Sequence, residues 1–337
     1  MRPGSNLRVR GGALLAVLWL SAALGAVAFS VANTVRGETE RASTALDSAR
    51  AYFLATGAIE RALLWIQWGA GIRNPDGSPR FWDPTIPVRR MEFPTGEAIV
   101  ELIPDSSRLS INHARPEEIL RLLLALGVAP DRAQEITAAI IDWRTPLPPA
   151  VLSPFDLYYL SLTPSFRARH ASFLETEELL FVKGMTPEIY HGSYGRDEGG
   201  RLFPRGALKN CVSVFGSTGA FEVNAVEPAL MAAIGLSPEA IRLVLEMRRR
   251  GPIRTPEQMA LIAQVGGPAA QRLRLGSSQV FTLRATARVR QADGRLSDLR
   301  RSVAATFRTP ADYKEDTLPY RVLRWYDNVW VDERRGE

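Results

Sequence analysis

The chain has 337 residues, 46% hydrophobic and 23% charged, a balance that excludes a disordered or collagen-like polymer and leaves room for one large domain or two modest ones. Its single cysteine, Cys211, excludes an intrachain disulfide, so the body must be held by its core, and the thiol reads as a small buried hydrophobe. Arg2, Arg8 and Arg10 in the first eleven positions supply half of the net charge of +6, so the pI of 9.7 is little reason to invoke nucleic acid.

Residues 1–11, MRPGSNLRVRG, form a short basic leader without an acid. The stretch from Gly12 to Ala32 then carries no charge. As a helix it measures roughly 31 Å at a rise of ~1.5 Å per residue, enough to cross a hydrocarbon core of about 30 Å. The preceding arginines place that end in the cytoplasm and the rest of the chain in the periplasm. A secretory signal would have a shorter apolar run ending in a small-residue cleavage site. Here the helical pattern continues through Leu46, Ala49, Phe53, Ile59, Leu63 and Ile66, and no proline intervenes before Pro75. The spacing predicts one helix from Gly12 to Trp68, its first half in lipid and its second half packed on a domain.

Glycine and proline make residues 69–90 a loop. Met91 and Phe93, a Pro94-Thr95-Gly96 turn and the alternation from Ala98 to Ile103 predict a hairpin. Residues 112–275 read as helices. Strict alternation returns from Val280 to Arg290, with a turn at Ala292-Asp293-Gly294 and a returning strand through Val303, Ala305 and Phe307. The segment Arg321 to Trp325 can pair at an edge. Strands at both ends with helices between predict an α domain inserted into a sheet.

The helical part contains an internal repeat. Ile111-Asn112 with Pro116, Gly127 and Pro130 is echoed by Val223-Asn224 with Pro228, Gly235 and Pro238. The asparagines suit helix N-caps, the prolines first-turn positions and the glycines C-caps. Each copy has a second part, beginning at Thr176 and at Thr255. The array resembles tandem helix–hairpin–helix units. DNA-binding versions present a Gly-apolar-Gly hairpin to phosphate. Here Gly127-Val128-Ala129-Pro130 and Gly235-Leu236-Ser237-Pro238 lack the second glycine, and the proline removes an amide donor. The Arg248-Arg249-Arg250 run suits a helix C-terminus. The repeat reads as a scaffold for protein contacts, and no nucleic acid is expected.

No catalytic set emerges. His113, His170 and His191 lack ligand spacing, and there is no phosphate loop or CxxC motif. Asp142-Trp143-Arg144 reads as a capped, salt-bridged helix end with a packed indole.

A basic leader ending in glycine, running into a helix that joins membrane to globule, resembles the type IV pilin family. Arg10-Gly11-Gly12-Ala13-Leu14-Leu15 is similar to its class III signal, which implies cleavage by prepilin peptidase between Gly11 and Gly12 and methylation of the new terminus. Most pilins carry glutamate at the fifth mature position; here it is Ala16. That departure, with Val17-Leu18-Trp19-Leu20, the Ile-Asn repeat, Ile140-Ile141-Asp142-Trp143-Arg144, the block from Glu177 to Glu188 and Phe221-Glu222-Val223-Asn224-Ala225, resembles the type II secretion minor pseudopilin K family.

The resemblance implies an α+β, pilin-like fold: a long N-terminal transmembrane helix packed on an antiparallel sheet, with a large all-α domain of helix–hairpin–helix-like repeats inserted in the sheet. Leader 1–11, transmembrane part 12–32, body 33–111, helical insert 112–275, returning strands 276–310 and tail 311–337 are the expected divisions. The implied function is non-enzymatic. A minor pseudopilin forms the tip complex of the periplasmic pseudopilus with the I and J minor pseudopilins and assists its assembly for protein export across the outer membrane. Pseudopilins G and H, prepilin peptidase and the inner membrane are the other implied partners. Calcium in the helical insert is implied as well. Of the residues from Thr145 to Tyr159 only Asp156 is acidic, so Asp142 and Asp156 are the candidate ligands for an ion that takes six to eight oxygens. Two alternatives stay open: a type IV pilus tip or DNA-uptake component with DNA-binding helix–hairpin–helix units, and a membrane-anchored enzyme.

Overall fold

Helix α1 runs without interruption from Arg10 to Gly69, as the absence of proline requires. The computed structural model describes residues 10–69, 72–76, 80–83, 85–196, 199–276, 279–310 and 320–329. Most of the leader and the last eight residues therefore lie outside the described residues. In the first half of α1, Leu14, Trp19, Leu24 and Phe29 are all more than half exposed. Thr34, Thr39 and Thr44 fold their hydroxyls onto the carbonyls four residues earlier, which satisfies polar groups within the helix itself.

Strands β1 (Val88–Phe93) and β2 (Gly96–Pro104) form the expected hairpin. Gly96 is required at its turn because a Cβ there would run into the Arg288 carbonyl. The chain then leaves the sheet. It runs through β3 (Leu109–Ser110), α2 (Pro116–Ala125), α3 (Pro130–Arg144), α4 (Pro154–Leu160) and α5 (Pro187–His191). A hairpin of β4 (Tyr194–Arg196) and β5 (Leu202–Pro204), the turn α6 (Leu208–Cys211), β6 (Val212–Ser213) and β7 (Phe221–Glu222) follow. The second repeat supplies α7 (Pro228–Ala233), α8 (Pro238–Arg250) and α9 (Pro256–Ala270), then β8 (Leu273–Arg274). Strands β9 (Val280–Val289), β10 (Arg301–Arg308) and β11 (Arg321–Tyr326) return to the sheet, whose order is β1-β2-β9-β10-β11, antiparallel throughout. The architecture is α+β and pilin-like, and the short tail segment pairs at the edge beside β10.

Two hydrophobic cores result. One lies between α1 and the sheet. The helix buries Ala51, Leu54, Ala55, Ala58, Ile59, Ala62 and Leu63 against Ala98, Leu283, Ala285, Ala287, Val303 and Ala305. This corrects the expected face: Leu46 and Phe53 are 51% and 70% exposed, and Ala49 also points outward. Alanine on both sides lets helix and sheet approach closely, with Leu54, Ile59 and Leu63 between them and Leu46 and Phe53 turned out.

The opposite face of the sheet is polar but covered. Thr282 and Thr306 bond across β9 and β10 at 2.9 Å, and Thr286 and Ser302 at 2.8 Å. Arg284 pairs with the buried Glu101. The alternation in β2 consequently does not separate a buried from a solvated face.

The other core fills the insert. Here the expectation of helices throughout 112–275 is corrected. Thr176–Phe181 is a 3-10 turn, and residues 145–153 and 161–175 are irregular. Parallel two-residue bridges join β3 to β6 and β7 to β8. Two-residue strands carry no period that a sequence can display.

Candidate functional site

Three features were candidates for function: the processing site on α1, the repeat, and the carboxylates of the insert. Gly11 and Gly12 both lie within α1, and nothing lies within 4 Å of where a Gly12 Cβ would be. Among the described residues α1 is the one helix long and apolar enough to cross a membrane, with a mean hydropathy of 2.2 in its most apolar window.

The repeat is present as predicted, and its two copies pack α2 against α7. Pro116, Pro130, Pro228 and Pro238 open their helices. Gly127 and Gly235 follow their helices with φ of +79° and +98°. The asparagines are not N-caps; Arg115 and Glu227 occupy those positions. Instead each makes a two-point clasp on a distant irregular segment. Asn112 Nδ2 donates to the Phe173 carbonyl at 3.0 Å, and the Phe173 amide donates to Asn112 Oδ1 at 2.7 Å. Asn224 repeats this with Ile253 at the same two distances. The second parts begin at equivalent places too: the side chains of Glu178 and Gln258 accept from the backbone amides of residues 174–175 and 254–255. The first cap is therefore Glu175 rather than Thr176.

This geometry bears on the DNA alternative. The amides of Gly127 and Val128 donate to the Leu124 and Leu123 carbonyls, and those of Gly235 and Leu236 to Ala232 and Met231. Both hairpins thus use their amides to close their own helices. Arg248 is turned inward onto the Val223 carbonyl, and burial pushes its guanidinium down to about 10 against the opposing charge of Glu222. It remains charged at neutral pH. The helix end also differs from the expected salt bridge: Arg144 donates to the carbonyls of Ile111 and Ala114, while Trp143 packs among Tyr159, Phe166 and Phe173. Cys211 is buried in the insert core.

The candidate ligands Asp142 and Asp156 are brought together, by residues the sequence did not single out. Ser153 caps α4: its hydroxyl accepts from the Asp156 amide at 3.0 Å and donates to Asp142 Oδ2 at 2.9 Å. His170, held at φ +48°, bridges the pair. Its Nε2 donates to Asp156 Oδ2 at 2.9 Å and its Nδ1 to the Asp142 carbonyl at 3.1 Å. Asp156 is fully buried and accepts also from the amides of Ser153 and Ala168 at 3.1 Å each and from Arg167 at 3.4 Å. Burial alone would raise the Asp156 carboxyl, but the bonds from His170, Ser153 and Ala168 outweigh it and hold the group below its ordinary value. Burial works to lower His170, and Asp156 more than offsets it, so the imidazole is raised. Burial raises Asp142 against the bond from Ser153.

The surroundings do not fit calcium. Both Asp156 oxygens are taken by donors, two of them on cationic or basic side chains, and a hard cation needs free oxygens. Among the described residues no group of three or more His, Cys, Asp or Glu side chains is arranged to hold a metal. The only sequence signal for His170 and Arg167 was a basic run, Arg167-Ala168-Arg169-His170, placed after the only acid of the stretch.

The pair sets a pH window. The raised His170 stabilises the fold fully below its ordinary 6.5 and loses this as pH rises through its folded value. The lowered Asp156 stabilises above its ordinary 3.8 and loses this as pH falls through its folded value. Both contributions are present between those two ordinary values. Melting curves of wild type and His170→Gln are expected to differ most in that window and to draw together as pH rises through the folded value of His170. A difference that grows with alkalinity would contradict the assignment.

Comparison with known proteins agrees on one family. The family model for type II secretion system (T2SS), protein K, matches residues 100–192, which covers β2 to α5 and so both candidate carboxylates. The type II secretion system protein K of Klebsiella pneumoniae is 26% identical over 202 residues; the match spans 55% of this chain and 61% of that protein's length. A chain in the crystal structure of the GspK-GspI-GspJ complex from enterotoxigenic Escherichia coli shares the fold, with a TM-score of 0.51 and 18% identity, over 86% of this chain and 98% of that one. All three comparisons point to the protein K family of the type II secretion system, minor pseudopilins, as what this chain is similar to.

Proposed function

We propose that this chain is a minor pseudopilin that sits, with the I and J minor pseudopilins, in the tip complex of the periplasmic pseudopilus and assists its assembly for protein export across the outer membrane. The observation that carries the reading is the unbroken 60-residue helix, apolar and uncovered in its first half and sheet-packed in its second, attached to a body whose fold matches a subunit of a GspK-GspI-GspJ assembly. The apolar helix and the family make the chain a single-pass inner-membrane protein. The orientation, leader inside and body in the periplasm, rests on Arg2, Arg8 and Arg10.

Prepilin peptidase acts between Gly11 and Gly12, and glycine there admits close approach of a protease backbone. Ala16 offers no carboxylate to pair with the terminal amine of a subunit ahead, which suits a subunit with none ahead of it. Pseudopilins G and H follow below it in the fibre. The role is structural, without catalysis.

Mass spectrometry of the mature chain, expressed with and without prepilin peptidase, is the test. A terminus at Gly12 that depends on the peptidase is the expected result. A terminus inside or beyond the apolar stretch would remove the basis of the proposal, and a cross-linking map along the fibre shaft, never with I and J, would remove the tip position.

A further inference from the structure

The segment from Thr145 to Phe173, irregular on either side of α4, gathers oxygens as a cation-binding loop does. The carbonyls of Pro149 and Val151 converge on the two terminal nitrogens of the Arg167 guanidinium at 3.1 and 2.9 Å, and Asp156 Oδ2 lies 3.4 Å from the second. The carbonyls of Asp142 and Thr145 lie 3.1 and 3.3 Å from His170 Nδ1, with Asp156 Oδ2 2.9 Å from Nε2. Both imidazole nitrogens face acceptors, so the ring satisfies its surroundings only as a double donor. Ser153 ties Asp142 to the same cluster.

We propose that Arg167 and His170 are the built-in cation of this loop, so that the insert of this chain holds its carboxylates and loop carbonyls with its own side chains and folds without a divalent metal. The elements joined are the last turn of α3, the first turn of α4 and the segment around Ala168, which no regular secondary structure connects. A charge-assisted cross-link between them is stronger than ordinary hydrogen bonding, because Asp156 is sealed from water. The inference goes beyond the assembly role and holds or fails independently of it, since it concerns the folding of the insert alone.

The test uses the full chain in detergent. Titration calorimetry with calcium chloride is expected to give no binding heat, and the melting temperature to be the same in millimolar calcium and in chelator. Hydrogen exchange supplies the positive readout. Arg167→Ala and His170→Gln are each expected to speed exchange of the Ala168 and Ser153 amides about tenfold or more, with the β9 and β10 amides unchanged. Because Arg167 is partly exposed, its variant keeps the fold even if the His170 variant does not. Calcium binding with added protection of those amides in the wild type, or unchanged exchange in the Arg167 variant, overturns the proposal.

Discussion

Asp156→Ala is expected to lower the stability of the insert by about 3–5 kcal/mol, the range for removing one partner of a buried charge pair. The size follows from what is left behind. His170 and Arg167 lose their carboxylate, and the amides of Ser153 and Ala168 lose their acceptor, at a place without access for water. Asp156→Asn retains one acceptor oxygen for Ser153, Arg167 and His170 but loses the charge and turns an NH2 toward the Ala168 amide, so it is expected to recover only part of the loss. Denaturant unfolding with a probe on the Trp143 cluster is the measurement, since that indole packs on Tyr159 a few residues from the substitution. A loss below about 1 kcal/mol, the usual size for an exposed pair, would mean that the cluster is solvated.

The second large effect is expected at the asparagine clasps. Asn112→Ala and Asn224→Ala each orphan one amide and one carbonyl of a buried residue, Phe173 and Ile253, and each is expected to cost about 1–3 kcal/mol. Asn→Asp at either position keeps the acceptor but sets a charge against a carbonyl, and should fall at least as far. Equal losses at the two sites, measured by the same unfolding transition, are the signature of a shared role in a duplicated unit. If Asn224→Ala is neutral while Asn112→Ala is not, the repeat is sequence-deep only.

These two sites also mark where the sequence was legible. The long helix, the flanking hairpins, the inserted α region and the duplication could all be read from local pattern, because apolar period, proline and glycine act within a few residues. The asparagines were seen as repeated, yet their job was misread, since their partners lie on segments far along the chain. Nothing in the spacing of His170 marks it as buried, for the same reason. Its burial is decided by Asp156 and by backbone carbonyls, none of which shares a period with it. The face of α1 was misjudged because hydrophobicity ranked Phe53 above Ala51 and Ala58. Close approach to an alanine-lined sheet selected the smaller residues.

The sheet holds one more consequence. Pro104 pairs with Phe281 and Gly96 with Val289, so the two innermost neighbours in the sheet are separated in sequence by the whole insert. Closing a flexible loop of that length is entropically slow, whereas joining the ends of an already folded unit is not. Refolding should therefore run from the inside outward, with the helical unit condensing first and presenting Pro104 and Phe281 as adjacent stubs. The sheet, and with it the seat for the membrane rod, then zips up last, although the rod precedes the insert along the chain.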